Sequence, residues 1–131
     1  ADEGVFQFAN SYLSQGFTDS IAVGFNTSSF NWSLYANDAQ TTTTRSHTPS
    51  TNTWYHIAVV RTGGYTKLYI DGTEIESRAD TKNYTNTTKL VVGGYWSTGY
   101  LLPGNIQDFR VTKGLARYTA NFTPPTQTLL G

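Results

Sequence analysis

The chain contains no cysteine, so neither a disulfide bond nor thiol chemistry contributes to its fold or function. Its 9 basic and 9 acidic residues cancel, which argues against a nucleic-acid partner or attraction to an anionic membrane. No apolar run approaches the roughly 20 residues that a membrane-spanning helix needs, and the N-terminus does not resemble a signal peptide. We therefore expect no nucleic-acid binding and no membrane insertion.

The abundant residues are those of short strands and tight turns. The 131 residues include 9 Tyr, 7 Phe and 3 Trp, and Thr, Ser, Asn and Gly fill most of the rest. This length fits one domain, residues 1–131, with a single two-layer core. Because the chain begins with Ala1 rather than Met, we expect that a leader has been removed or that it is a piece of a longer protein.

Hydrophobic periodicity predicts an all-β protein. Helical periodicity is nearly absent, whereas alternating or short apolar runs recur along the whole chain. The run 54–61 is apolar on both sides of the pleat until Arg61, which predicts a central strand covered on both faces. A single helical turn is predicted at 113–118. The predicted strands are residues 5–9, 20–25, 32–37, 41–46, 54–61, 66–70, 73–77, 90–92 and 105–112.

Turn residues predict a three-stranded meander between residues 54 and 77. Gly63 and Gly64 follow the first of these strands and supply positive φ angles. Asp71 and Gly72 separate the next two strands, and a two-residue type I′ hairpin needs residues that tolerate left-handed conformations. We therefore expect three consecutive antiparallel strands.

Four motifs follow one another along the second half of the chain. They are Trp54-x-His56-Ile57-Ala58-Val59-Val60-Arg61, then Leu68-Tyr69-Ile70-Asp71-Gly72, then Leu90-Val91-Val92-Gly93-Gly94, and Gly104-Asn105-Ile106-Gln107-Asp108-Phe109-Arg110-Val111. In this order they resemble the laminin-G-like domains of the concanavalin-A superfamily, and the resemblance covers about residues 53–125. The tail 112–125 is similar to a terminus found in bacteriophage tail and virion proteins.

This resemblance implies a jelly roll of two antiparallel sheets whose rim loops bind glycans or, in some members, calcium. Family domains usually open with a further pair of strands that this chain lacks, so the sandwich is expected to have an unfilled place at its edge. An unpaired edge exposes a row of backbone donors and acceptors. We expect a neighbouring subunit or upstream sequence to fill it, and hence an oligomer or an assembly.

The acidic residues and histidines do not predict an enzyme. Glycosidases on this fold place two carboxylates across a cleft, whereas Glu74 and Glu76 lie in a meander hairpin and are interpreted as solvated strand charges. His47 lies in a polar loop without a nucleophile motif, and His56 lies in the most apolar strand. No cofactor is predicted. Calcium binding is kept as an alternative because some members of the family bind calcium. The sequence itself does not indicate a calcium loop, since the candidate ligands Asp19, Asp38, Asp80 and Asp108 are isolated from one another.

The best functional signal is aromatic. A loop flanked by glycines carries Tyr95, Trp96 and Tyr100, and Tyr84 lies beside Asn83 in a second polar segment. Sugars stack their apolar faces on aromatic rings while amides take the hydroxyls, so these five residues are the predicted ligand-binding set. The alternative is that Trp96 and Tyr100 fold back over the end of the sandwich and cover its core. Four other aromatic residues are interpreted as core or cross-strand packing: Trp32, Tyr35, Trp54 and Tyr69.

These observations predict a non-catalytic lectin-like module. Its place would be a virion surface or an extracellular assembly such as a phage tail fibre, spike or capsid decoration, and its partners would be surface glycans and other subunits. One alternative is a purely structural subunit joined through sheet edges without binding sugar. A more distant alternative is the remnant of a glycan hydrolase.

Overall fold

The computed structural model describes residues 2–9, 19–26, 31–42, 47–85, 89–95 and 98–126. In these ranges the chain forms eight β-strands and one short 3-10 helix, and none of its helices has the length and apolarity to cross a membrane. The helical turn predicted at 113–118 does not form. The elements are β1 (Asp2–Ala9), β2 (Ile21–Asn26), β3 (Asn31–Ala36), β4 (Ala39–Thr42), β5 (Ile57–Thr62), β6 (Tyr65–Ile70), β7 (Thr73–Ala79), β8 (Lys89–Val92) and the 3-10 helix Thr98–Tyr100.

The strands form two antiparallel sheets, which confirms the predicted two-sheet antiparallel sandwich. The five-stranded sheet has the order β4-β3-β2-β1-β8, and the three-stranded sheet has the order β5-β6-β7. The meander predicted between residues 54 and 77 is the three-stranded sheet. Its second turn has φ angles of 49° at Asp71 and 80° at Gly72, the left-handed region that a tight hairpin requires.

The main core lies between the two sheets. It is formed by alternate, inward-facing residues of both sheets, as expected for stacked sheets whose other faces meet solvent or loops. Burying each of these side chains stabilises the fold by about 1.5–3 kcal/mol relative to an exposed position. The buried members are Val5, Val23, Trp32, Leu34, Leu68, Ile70 and Ile75, with Phe6, Tyr55, Ile57, Val59 and Leu102 packed at its border.

The predicted position of β5 is wrong. Its apolar run predicts a central strand beginning at residue 54, but β5 begins at Ile57 and, among the strands that the structure describes, pairs with β6 alone, at the edge of the three-stranded sheet. Trp54 is 65% exposed rather than packed in the sheet, whereas Trp32, Tyr35 and Tyr69 are buried as predicted. Trp54 is exposed because it lies three residues before the start of β5 and is not part of the sheet.

The closing strand predicted at 105–112 is also absent. These residues pair with no strand in the described chain, and Ile106, Phe109 and Val111 remain exposed. Apolar alternation alone does not make a strand, because a ladder needs a neighbour that supplies donors and acceptors.

The C-terminal segment instead returns to the outer face of the three-stranded sheet. The Phe122 backbone N–H donates to the Gly72 carbonyl at 2.9 Å, and its ring stacks on Tyr118 with ring centroids 3.6 Å apart. The same ring meets Tyr69 at 5.6 Å and His56 at 5.5 Å. A Cβ atom on Gly72 would lie 1.8 Å from the Phe122 carbonyl oxygen, so this close approach requires glycine.

Candidate functional site

Two segments meet at one end of the sandwich and form what we call the rim. The rim consists of residues 37–38, the turn between β3 and β4, and residues 80–85, which follow β7. Asn37 and Asp38 have φ angles of 52° and 60°, which their short polar side chains tolerate better than other non-glycine residues do. The rim therefore joins the edge of one sheet to the end of the other.

Asp80 is the buried residue that holds the rim in place through hydrogen bonds. It is 1% exposed, and its carboxylate accepts hydrogen bonds from the Thr66 hydroxyl at 2.6 Å and from the Tyr84 hydroxyl at 2.8 Å. The Lys82 backbone N–H donates to its second oxygen at 3.1 Å, and the Arg61 Nε lies 3.5 Å from the first. A buried carboxylate is tolerated only when it is compensated in this way.

Tyr84 connects Asp80 to the opposite segment. Its hydroxyl donates to Asp80 and accepts a hydrogen bond of 2.8 Å from the Asn37 backbone N–H. The Arg61 guanidinium carbon lies 4.9 Å from the centre of the Tyr84 ring, a cation–π contact. Burial, together with the bond to the Asp80 carboxylate, raises the pKa of Tyr84 to about 12.

Lys82 holds the acidic groups of the rim together. Its Nζ lies 2.5 Å from Oδ2 of Asp38 and 3.9 Å from Oδ1 of Asp19. The hydrogen bond to Asp38 raises the pKa of Lys82, and the same bond lowers the pKa of Asp38. The Asp19 backbone N–H also donates to Asp38 at 2.7 Å, which fixes Asp19, two residues before β2, against the rim.

Three of the four acids considered as calcium ligands thus meet at the rim, although they are far apart in sequence. The space between Asp19 and Asp38 is occupied by the Lys82 ammonium group. In the described ranges no group of three or more His, Cys, Asp or Glu residues is arranged to hold a metal ion. Asp108 lies apart from the rim set, in the exposed segment 105–112.

Tyr95 is buried rather than exposed at the surface. It is 2% exposed and packs its ring edge-on against Tyr35, with centroids 5.6 Å apart, over the outer face of the five-stranded sheet. Gly4 and Gly24 leave space for this ring: a Cβ atom on Gly24 would lie 1.7 Å from the Tyr95 hydroxyl oxygen, and one on Gly4 would lie 2.7 Å from its ring. Because it is buried, the Tyr95 ring is not available to stack on a sugar.

The other predicted binding residues have different positions. Asn83 is exposed on the rim, Tyr84 is half-buried in it, and Tyr100 is half-buried against Tyr95 with centroids 6.3 Å apart. Trp96 lies outside the described residues. Tyr35, which supports Tyr95, is two residues from Asn37, so the aromatic loop and the rim flank the same end of β3.

Sequence reasoning did not find Arg61, Asp80 and Asn37 as partners of Tyr84, or Thr66 as a partner of Asp80. The separations reach 47 residues, and no spacing pattern links them. The one local signal was the Asn37-Asp38 dipeptide after an apolar run, which favours a turn with positive φ.

The two carboxylates considered for catalysis have structural partners. Glu74 accepts a 2.9 Å bond from Lys67, which raises the pKa of Lys67, and lies 3.5 Å from the Tyr69 hydroxyl. Glu76 accepts a bond of 3.1 Å from the Ser77 backbone N–H.

Neither histidine stands in a triad arrangement in the described structure. The His56 ring lies edge-on to the stacked rings of Tyr118 and Phe122, and burial lowers its pKa. The His56 backbone N–H donates to the Asp71 carboxylate at 2.8 Å, so the Asp71 side chain stabilises the β6–β7 hairpin turn against the residue before β5. His47 meets the Tyr55 ring edge-on at 5.8 Å.

Comparisons with known proteins bear on this architecture. A laminin G-type family model, described as the concanavalin A-like lectin/glucanases superfamily, matches residues 4–116. No curated protein matches the chain. Among solved structures the chain is similar to residues 221–444 of an S-layer domain-containing protein from Clostridium thermocellum, at 16% sequence identity and a TM-score of 0.44. That match covers 86% of this chain and 58% of the other, so the chain spans little more than half of that structure.

Proposed function

The chain belongs to the concanavalin A-like lectin/glucanases superfamily, and from that premise we propose that it is a non-catalytic, lectin-like adhesion module for surface glycans. Its proposed setting is a virion surface or an extracellular assembly, of the kind that a phage tail fibre, spike or decoration provides. The similarity of the tail 112–125 to virion proteins supports this setting.

The observation that carries the proposal is the construction of the rim. Tyr84 is fixed at its hydroxyl by two hydrogen bonds, and the polar groups of Asn37, Asp38 and Asn83 are exposed around it. A sugar needs groups that accept and donate hydrogen bonds next to an aromatic surface, and groups fixed before binding lose less entropy when they bind.

The aromatic loop supplies the stacking surface in this proposal. Tyr95 is buried beside the half-buried Tyr100, whose ring provides one face for stacking, and Trp96 is proposed as the second stacking residue from its place in the sequence. The proposed binding residues are therefore Trp96, Tyr100, Tyr84 and Asn83. The structural partners of Glu74 and Glu76 support the non-catalytic part of the proposal.

A glycan panel tests this function with four proteins: wild type, Trp96→Ala, Asn83→Ala and the control Thr51→Ala, an exposed residue in the loop before β5. We expect binding by the wild type and by Thr51→Ala. Affinity should fall about two- to tenfold in Trp96→Ala, because a lost stacking contact costs about 0.5–1.5 kcal/mol. Wild type and Trp96→Ala that are equally silent across the panel would contradict glycan adhesion.

A second candidate is an architectural subunit joined to its neighbours through sheet edges, without a sugar ligand. The observation that favours it is the edge position of β5, whose apolar residues 57–60 are typical of a strand with neighbours on both sides. Glycan binding that survives in a monomeric protein would favour the first candidate over this one.

A further inference from the structure

Trp54 is the most exposed large apolar side chain in the part of the chain that the structure describes. It is 65% exposed and lies outside the sheet, because β5 begins three residues later at Ile57. Tryptophan is enriched at the centres of binding surfaces, since a ligand that covers its ring removes a large apolar area from water. We use the name platform for residues 52–56, the short segment that carries this ring.

The backbone on the C-terminal side of Trp54 is fixed to the rest of the fold. The Tyr55 ring packs at the border of the main core, and its hydroxyl accepts a hydrogen bond of 2.8 Å from the Ser50 backbone N–H. The His56 backbone N–H donates to the Asp71 carboxylate at 2.8 Å. The indole is therefore exposed on a segment whose position is set before any ligand binds, which lowers the entropy that binding costs.

A turn with polar side chains comes directly before Trp54. The Thr53 hydroxyl donates to the Thr51 backbone carbonyl at 3.2 Å, and Asn52 has a φ angle of 55°, a left-handed conformation that asparagine tolerates. Asn52 and Thr53 are both exposed. An amide and a hydroxyl group are thus available within two residues of the indole.

The platform is neutral. Between Arg45 and Arg61 the sequence contains no Asp, Glu, Lys or Arg. Burial lowers the pKa of His56, so its imidazole is uncharged at neutral pH, and the Asp71 carboxylate beside it is already bonded to the His56 backbone N–H. A charged ligand gains little from such a surface. The pyranose ring of a neutral sugar matches it, because one face of that ring is apolar and its edge carries hydroxyl groups.

The platform lies at the end of the sandwich opposite the rim. Tyr55 contacts Trp32, the second residue of β3, whereas the rim residue Asn37 follows the last residue of β3. β5 has the same direction, since Tyr55 precedes its first residue while Arg61, near its last, contacts Tyr84 of the rim. In an extended strand the positions of Trp32 and Asn37 are about 16 Å apart. One bound sugar ring therefore cannot contact both the platform and the rim.

We propose that the platform is a second glycan-binding site, at which a neutral pyranose sugar stacks on Trp54 and hydrogen-bonds with Asn52 and Thr53. The proposal rests on the proposed function for its class of ligand, but the platform shares no residue with the rim or the aromatic loop. A site at each end gives one domain two attachment points, which raises its avidity for a surface that carries many glycans. A proline-rich peptide fits less well, because such peptides dock in grooves lined by several aromatic rings.

An NMR titration of the whole chain with neutral oligosaccharides tests this site. The probes are pentasaccharides of glucose, galactose, mannose and N-acetylglucosamine. We expect at least one of them to shift the Trp54 indole N–H signal and the platform amide signals in a saturable way. Trp54→Ala should weaken the binding seen at the platform amides about two- to tenfold, and Trp54→Phe, which keeps an aromatic face, should weaken it less.

Two further variants make the test specific. Leu115→Ala is the matched control, because Leu115 is 63% exposed and lies outside the platform. It removes an equally exposed apolar side chain that has no ring, so it should leave the platform shifts unchanged. Trp96→Ala should also leave them unchanged, because Trp96 belongs to the other proposed site. Trp54 is exposed, so Trp54→Ala is expected to fold, and its amide spectrum away from the platform checks that it does.

Three results would overturn the proposal. One is a set of platform signals that no probe shifts. Another is platform binding that is equally strong in Trp54→Ala. The third is a proline-rich peptide that shifts the platform signals while the sugars do not. Failure of the proposed function has a different signature, namely rim signals at residues 37–38 and 80–85 that stay in place while the platform responds.

Discussion

The Tyr84 hydroxyl donates a 2.8 Å hydrogen bond to Oδ2 of Asp80, a carboxylate that is almost completely buried. The same hydroxyl accepts a bond from the Asn37 backbone N–H, so one oxygen atom joins the segment after β7 to the turn between β3 and β4. The stability of the rim and the position of its polar groups both depend on this relationship.

We expect Tyr84→Phe to destabilise the protein by about 1–3 kcal/mol, since it removes a donor from a buried carboxylate and an acceptor from a backbone N–H. The free energy of unfolding in urea measures the effect. Tyr65→Phe, at an exposed position in the β5–β6 hairpin, is the control and should change stability little. A Tyr84→Phe variant as stable as the wild type would contradict the role assigned to the hydroxyl.

The stability that Tyr84 contributes should depend on alkaline pH. Its folded-state pKa is raised to about 12 from an ordinary value of about 10, so folding favours the neutral phenol. The contribution is complete below pH about 10 and is lost as the pH rises towards 12. The difference in unfolding free energy between wild type and Tyr84→Phe should therefore narrow across this range. A difference that stays constant would count against the raised pKa.

Gly24→Ala should destabilise the protein by about 1–3 kcal/mol, because the new methyl group overlaps the Tyr95 ring. Gly104→Ala is a matched control, since the nearest atom to its new Cβ lies 3.7 Å away in ordinary contact. Thermal unfolding of both variants measures the contrast. Equal melting temperatures would mean that Tyr95 does not pack over β2 in solution.

Phe122→Ala should detach the C-terminal segment from the outer face of the three-stranded sheet, at a cost of about 2 kcal/mol. Burial lowers the pKa of His56 in the folded state, so removing the Phe122 ring should raise that pKa towards its ordinary value. An NMR titration of His56 measures the pKa in both proteins, with the exposed Leu115→Ala as control. An unchanged His56 pKa would contradict the packing described for the segment.

The same pKa shift predicts an acid dependence. A histidine whose folded-state pKa is lowered contributes stability above its unfolded pKa, about 6.5, and this contribution is lost as the pH falls. Wild type should therefore lose stability between pH 7 and the lowered pKa relative to His56→Gln, which does not titrate. Parallel urea-unfolding curves at neutral and mildly acidic pH make the comparison, and identical losses in both proteins would contradict it.

The fold class and the local turns could be predicted from the sequence alone. The meander was predictable because Asp71 and Gly72 are chemically suited to a left-handed hairpin, and most strand positions followed from alternating apolar residues. It also predicted that Trp32, Tyr35 and Tyr69 pack inside the structure. Turn conformation and the alternation of buried and exposed positions depend on residues that are close in sequence, so they can be predicted without the three-dimensional structure.

Sequence alone could not predict which strands lie at sheet edges or which side chains meet across the sandwich. The apolar run of β5 looks the same in sequence whether one or two strands flank it, and residues 105–112 alternate like a strand but join no strand in the described part of the chain. Asp80, Tyr84 and Asn37 come together because the segment after β7 reaches the β3–β4 turn. Hydrogen bonds and burial depend on distance in space, and a single sequence does not contain those distances.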